Sequence, residues 1–270
     1  MSAISSKEIV GPAILQIEQL RSPDFEPGEK LIHQTRVSIK RLRARIKMLR
    51  KLLGNKQYMS VLVEHAKELS RYLSTHRDMD VMSALLDQLA NEQKDPDRRV
   101  LLEKIKFRLI VAQEEICFDR DKVMQLASIV CSDFNDSDDH HLSDSDMSRF
   151  IGKKTNRIFS KGDKILTDGE CEPLHEWRKE VKEFLYQNEL LAEDKQPIKK
   201  KSLDDLGKTL GKVHDVCVLE ESIERLQDRS SPFLDKTEYK LYGSVVFDHL
   251  ASLFDLAHER HQAVLKDVNG

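Results

Sequence analysis

Residues 33–53 read HQTRVSIKRLRARIKMLRKLL. On a helix of 3.6 residues per turn, Ile39, Leu42, Ile46, Leu49 and Leu53 share one side and predict a buried stripe. Arg36, Lys40, Arg43, Lys47 and Arg50 form a second stripe beside it, with His33 at its edge, while Arg41 and Arg45 lie on the opposite flank. Between His33 and Lys51 there are eight Lys or Arg residues and no Asp or Glu. Like charges three or four places apart cost about 0.2–0.5 kcal/mol per pair on a helix surface. A helix that collects them without acids is therefore expected to meet an anion.

A second stretch repeats this pattern. His33-x-x-Arg36-x-x-x-Lys40 matches His175-x-x-Arg178-x-x-x-Lys182 at an offset of 142. Farther on, Arg77-Asp78-Met79-Asp80-Val81 matches His214-Asp215-Val216-Cys217-Val218 at an offset of 137. Two matches in the same order at nearly the same offset predict an internal duplication. In the second copy Leu185 stands where the first has Arg43, so its stripe is shorter. Val181, Phe184, Asn188 and Leu191 turn towards the core, with Trp177 at core spacing as well. Glu176, Glu180 and Glu183 are assigned to the far flank, and Pro173 puts His175 in the first helical turn.

Outward from these two stretches, helical periodicity covers nearly the whole chain. Helices are expected at about 5–21, 29–53, 56–75, 79–93, 97–127, 147–166, 173–192, 199–213, 216–228 and 235–267. No segment alternates well enough to predict a strand, and Gly (10) and Pro (7) are too scarce for a turn-rich β fold. The fold class is all-α: two antiparallel helical bundles, spanning 1–131 and 149–270, with an acidic linker at 132–148. That linker reads SDFNDSDDHHLSDSDMS over residues 132–148 and has the composition of a solvated segment rather than of a cation site built on Asp139, His140 and His141.

Composition excludes several functions. The net charge of −3 arises from 44 basic and 47 acidic residues, so any anion site must come from local sorting of charge. No apolar run reaches membrane-spanning length, and Met1 to Gln16 has no secretion signal, which predicts a cytoplasmic protein without a membrane partner. Cys117, Cys131, Cys171 and Cys217 are widely spaced and form no CxxC pair, so reduced thiols are expected rather than a disulfide framework or metal site. Gly152-Lys153-Lys154-Thr155 lacks the rest of a phosphate loop, and His258-x-x-His261 lacks a third metal ligand and is read as two surface histidines. His214-Asp215 is read as structural, a helix cap.

Arginine forks and lysine point charges suit phosphate oxygens. Two such stripes brought together would hold a linear polyanion. The first stripe contains no aromatic residue from His33 to Lys51, which disfavours nucleic acid, whose single strands are held on aromatic platforms. Acids assigned only to opposite faces give no carboxylate cluster for magnesium, so neither catalysis nor a cofactor is expected. The alternatives are a phosphate-chain-processing enzyme or its accessory subunit, and a helical adaptor for nucleic acid or an acidic protein.

These residues resemble the CHAD domain, the conserved histidine α-helical domain. The resemblance rests on His33-x-x-Arg36-x-x-x-Lys40-Arg41-Leu42-Arg43, on Arg77-Asp78-Met79-Asp80-Val81, on Leu174-His175 to Tyr186, and on Leu210-Gly211 to Val216. It implies two bundles related by a pseudo-twofold around a basic cavity that binds inorganic polyphosphate. It also implies association with polyphosphate granules; a polyphosphate-metabolising enzyme is a further expected partner. Carried over by residue, the ligand-binding set is His33, Arg36, Lys40, Arg43, Lys47, His175, Arg178 and Lys182, with Arg71 and Lys208 aligning at the second offset and Arg50 added by the stripe itself. The resemblance is to the domain standing alone: the 270 residues leave no room for the catalytic CYTH domain often fused ahead of it.

Overall fold

The structure is a computed structural model describing residues 3–22, 24–26, 28–75, 78–111, 119–228 and 232–269, without the side chains of 29, 75 and 78–80. Eleven α-helices fill it: α1 (Ser6–Glu18), α2 (Glu29–Leu52), α3 (Ser60–Thr75), α4 (Asp78–Glu92), α5 (Pro96–Val111), α6 (Arg120–Asn135), α7 (Asp144–Phe159), α8 (Gly162–Asp168), α9 (Cys171–Asn188), α10 (Lys200–Gln227) and α11 (Lys236–Asn269). The stripe read from residues 33–53 faces inward as its spacing requires: Ile39, Leu42, Ile46 and Leu49 are buried, and Leu53 is half-buried at the helix end. Trp177 and Phe184 are likewise fully buried.

The helices pack in two groups. In the first, α1 lies along α2, and α2, α3 and α6 close around it. In the second, α10 packs against both α9 and α11, and α7 and α8 fill in beside α9. The α4–α5 hairpin docks on α10 and α11, with Arg98 Nη1 3.4 Å from Asp248 and Glu92 3.2 Å from His249 Nδ1. The motif helices α2 and α9 pack directly on each other and join the groups. One continuous apolar cluster runs through both.

Several expectations are corrected. The segment at 132–148 is ordered. α6 runs to Asn135, and His141–Ser143 forms a short strand, β2, antiparallel to β1 (Ala3–Ser5), with Ile4 opposite Leu142. Asp139 accepts hydrogen bonds from Ser6 Oγ (3.0 Å) and Lys7 N (3.1 Å), so its carboxylate serves the N-terminal pairing. Single-segment hydropathy could not show this, because the partner strand is more than 130 residues away. The helices expected at 199–213 and 216–228 are one, α10, since nothing at His214-Asp215 breaks the backbone ladder. Asp215 therefore lies inside a helix and is not its cap.

The thiol expectation fails for two cysteines: Cys171 and Cys217 form a disulfide with Cα atoms 6.2 Å apart, tying the start of α9 to α10. Cys131 is free and buried, and Cys117 lies outside the described residues, as do Arg77 and the side chains of Asp78 and Asp80. His261 is not a surface residue. It is fully buried, with Nε2 2.9 Å from the Phe159 carbonyl and Nδ1 3.0 Å from Asp163. No described helix is long and apolar enough to cross a membrane.

Candidate phosphate-binding site

The crossing of α2 and α9 is held by groups that the two sequences supply to each other. Gln187 Nε2 donates to the Ala44 carbonyl (2.7 Å), and its Oε1 accepts from Lys154 Nζ (2.8 Å). To one side Arg41 Nε donates to Glu189 Oε2 (3.2 Å) and its guanidinium lies 5.5 Å from the centre of the Tyr186 ring. To the other, Glu183 accepts from Lys47 Nζ (2.6 Å) and Lys154 Nζ (2.7 Å). Burial works to raise the Glu183 carboxyl, yet the two ammonium groups hold it below the usual carboxylate range. Glu183 is thus not on a far flank, and Lys47 is neutralised by a carboxylate. A wheel of α9 alone cannot reveal which neighbour each face meets.

Cations from α2, α9 and α10 meet around Lys182. Lys182 is half-buried; desolvation lowers its pKa, Asp204 opposes this, and Arg178, Lys208 and Arg41 lower it further. A side chain on α2 and one on α10 thus share a field with two on α9. Burial also lowers Arg178, with Asp215 opposing, and its buried Nε makes no hydrogen bond among the described residues. Lys182 lies against α10 at Gly207, where an added Cβ would come within 2.9 Å of its Cε and Nζ.

His175 and His214 meet across α9 and α10, Nδ1 to Nδ1 at 3.0 Å, with ring centroids 4.2 Å apart. Burial is the largest cause lowering both; Lys179 and Arg178 add to it for His175. For His214 the charges of Arg178, His175, Lys179 and Lys40 add to burial and take it down to about 4. Both imidazoles are therefore neutral near pH 7, and one Nδ1 donates to the other. The presence of Lys40 in that field places the α2 motif near the α9–α10 pair.

The remaining expected residues divide among other surroundings. His33 is exposed and Arg36 half-buried on the α2 turns preceding Lys40. Arg43 and Arg71 are exposed on the α3 side, where both act on Glu64, whose carboxyl is lowered first by a hydrogen bond from Lys67. Lys208 is exposed on α10. Arg50 Nε donates to the Tyr58 carbonyl (2.7 Å), and Lys47 and Arg50 join Lys51, Gly54 and Lys56 around a cleft of about 490 Å³. Gly54, at φ +64°, makes the left-handed turn that returns Lys56 to the helix end. Sequence reasoning missed Arg41, Lys51, Lys56 and Lys154 as participants, and His214 as the partner of His175. The offset of 137 hinted at His214, the basic run at Arg41 and Lys51, and the incomplete phosphate loop at Lys154.

A family model described as CHAD domain matches residues 15–224. No curated protein and no solved structure matches the chain.

Proposed function

Because the chain belongs to the CHAD family, which is associated with polyphosphate binding and generally non-catalytic, we propose that it binds inorganic polyphosphate in a basic groove between two pseudo-symmetric helical bundles. The observation that carries this reading is that Lys182, lying against α10 at Gly207, is acted on by Arg41 of α2, Arg178 of α9 and Lys208 of α10, while Arg178 and Lys40 of α2 both act on His214. Arg178, Lys208 and Arg41 add to burial in lowering Lys182, and phosphate oxygens would reverse that cost.

The duplication is supported by the crossing itself. An offset of 142 carries Arg41 onto Glu183 and Lys47 onto Glu189, so the Arg41–Glu189 and Lys47–Glu183 pairs exchange with each other. The central set is His33, Arg36, Lys40, His175, Arg178, Lys182 and Lys208. Arg43, Lys47, Arg50 and Arg71 extend it towards the ends. A division of the chain into two repeats on either side of the α6–α7 connection, cytoplasmic placement at polyphosphate granules and a polyphosphate-metabolising partner belong to the same proposal. Tyr186, the aromatic residue beside the groove, is buried beneath Arg41, which leaves no base-stacking surface there and favours a bare phosphate chain over nucleic acid.

The test is the affinity for long-chain polyphosphate of the native protein and of two double variants, Arg36→Glu/Lys40→Glu and Arg178→Glu/Lys182→Glu, across a salt series. Each is expected to bind at least about tenfold more weakly, with a log K versus log salt slope shallower by roughly 0.7–0.9 per contact removed. Unchanged affinity in both variants refutes the site, and equal competition by single-stranded RNA at matched phosphate refutes the selectivity.

A further inference from the structure

The His175–His214 pair lies one helical turn from the Cys171–Cys217 bridge. On α9, Cys171 precedes His175 by four positions; on α10, His214 precedes Cys217 by three. Both spacings place the paired residues on one face of their helix. The faces oppose each other, since the cysteines are bonded and the imidazole nitrogens are 3.0 Å apart. Two sulfurs and two imidazoles from adjacent helices are the ligand set of a tetrahedral zinc ion.

While the bridge is closed, no group of three or more His, Cys, Asp or Glu side chains among the described residues is arranged to hold a metal. The geometry points to a second state: with the bridge reduced, Cys171, His175, His214 and Cys217 bind one zinc(II) ion. A dithiol reductant supplies two electrons and two protons to the S–S bond, giving two thiols and its own cyclic disulfide. Zinc(II) then displaces the two thiol protons. The proton between the Nδ1 atoms moves to the outer nitrogen of its ring, leaving both lone pairs for the metal.

Three physical points favour this state. Zn–N bonds of about 2.0–2.1 Å imply a nitrogen–nitrogen edge of about 3.3 Å, close to the 3.0 Å separation already present. The metal would sit beside the line between the two nitrogens, so the rings would turn their lone pairs towards it without moving apart. Two thiolates cancel the charge of the ion, so Arg178 and Lys179, which flank the pair, meet a neutral centre. Cys217 is buried and Cys171 half-buried, which shields the sulfurs while leaving one side open to entry. This inference does not depend on polyphosphate binding and is tested without that ligand.

Cobalt(II) serves as the spectroscopic probe. The full chain, reduced with a dithiol and freed of reductant anaerobically, is titrated with cobalt(II) and then back-titrated with zinc(II). The expected result is one cobalt per chain, with tetrahedral visible bands and a thiolate-to-cobalt charge-transfer band, displaced by zinc. Oxidised protein, with two titratable thiols rather than four, gives no band. Cys171→Ser, Cys217→Ser and His214→Asn each weaken binding at least tenfold. His214→Asn must still close the bridge on oxidation, which reports a native α9–α10 contact independently of metal. Absence of a thiolate band in reduced native protein overturns the inference, as does an unchanged band in both His175→Asn and His214→Asn.

Discussion

Lys182 owes its position to a residue with no side chain. Gly207 lets the lysine lie across α10, and a methyl group there would meet its terminal atoms at 2.9 Å. Gly207→Ala should therefore push the ammonium out of the cluster with Arg178 and Lys208. The helix itself gains up to ~1 kcal/mol in propensity. The expected outcome is an unchanged or slightly raised melting temperature with polyphosphate affinity about fivefold weaker, equivalent to ~1 kcal/mol. Calorimetric titration and thermal denaturation of one variant check both halves. At this scale the sequence is informative about residue type and poor on neighbours. His175, Arg178 and Lys182 stand out from their spacing, whereas Gly207 and His214 acquire meaning only once α10 is seen against α9.

Between elements, the proposed binding would be coupled to stability at the α2–α9 crossing through Glu183. Its carboxylate accepts from the largely buried Lys154 and from Lys47. Glu183→Gln would leave Lys154 in a desolvated site without its counter-charge, a loss of about 1–3 kcal/mol. It would also release Lys47 towards the cleft it shares with Arg50, Lys51 and Lys56. The variant should melt earlier yet bind polyphosphate more tightly at low salt, and a decrease in both would show that Lys47 takes no part in binding. The buried stripe of α2 was legible because Ile39, Leu42, Ile46 and Leu49 recur at helical spacing, and packing obeys that period. The ion pairs were not, because hydropathy along α9 gives no information on which helix lies opposite Glu183 or Glu189. The continuity of α10 was missed for a related reason. His214 and Asp215 are poor helix formers, and burial of Val213, Val216 and Cys217 on either side overrides their weak preference.

At the scale of the whole molecule, the described residues share one apolar core, crossed by a covalent tie enclosing a 46-residue separation. Opening Cys171–Cys217 with reductant, in the presence of a chelator, is expected to lower unfolding stability by about 3–4 kcal/mol through the freed unfolded chain. A single transition should persist, because neither helix group has a core separate from the other's. Denaturant titration of oxidised and reduced protein measures the difference, and two resolved transitions would contradict the shared core. The helical class and the paired motifs could be read from the chain, since the helical period is local and each motif lies within a short stretch. The docking of α4–α5 on α11 and the zipping of β1 to β2 could not, because each joins segments well over a hundred residues apart. At the crossing, the motif helices approach closely enough for an amide to bridge side chain to backbone at Ala44, which is buried and carries only a methyl group. If the two motif stripes line the proposed groove, a side chain this small at the crossing would act as a spacer shim for the distance between them. A bulkier shim would therefore retune which anions fit while leaving every charged residue in place.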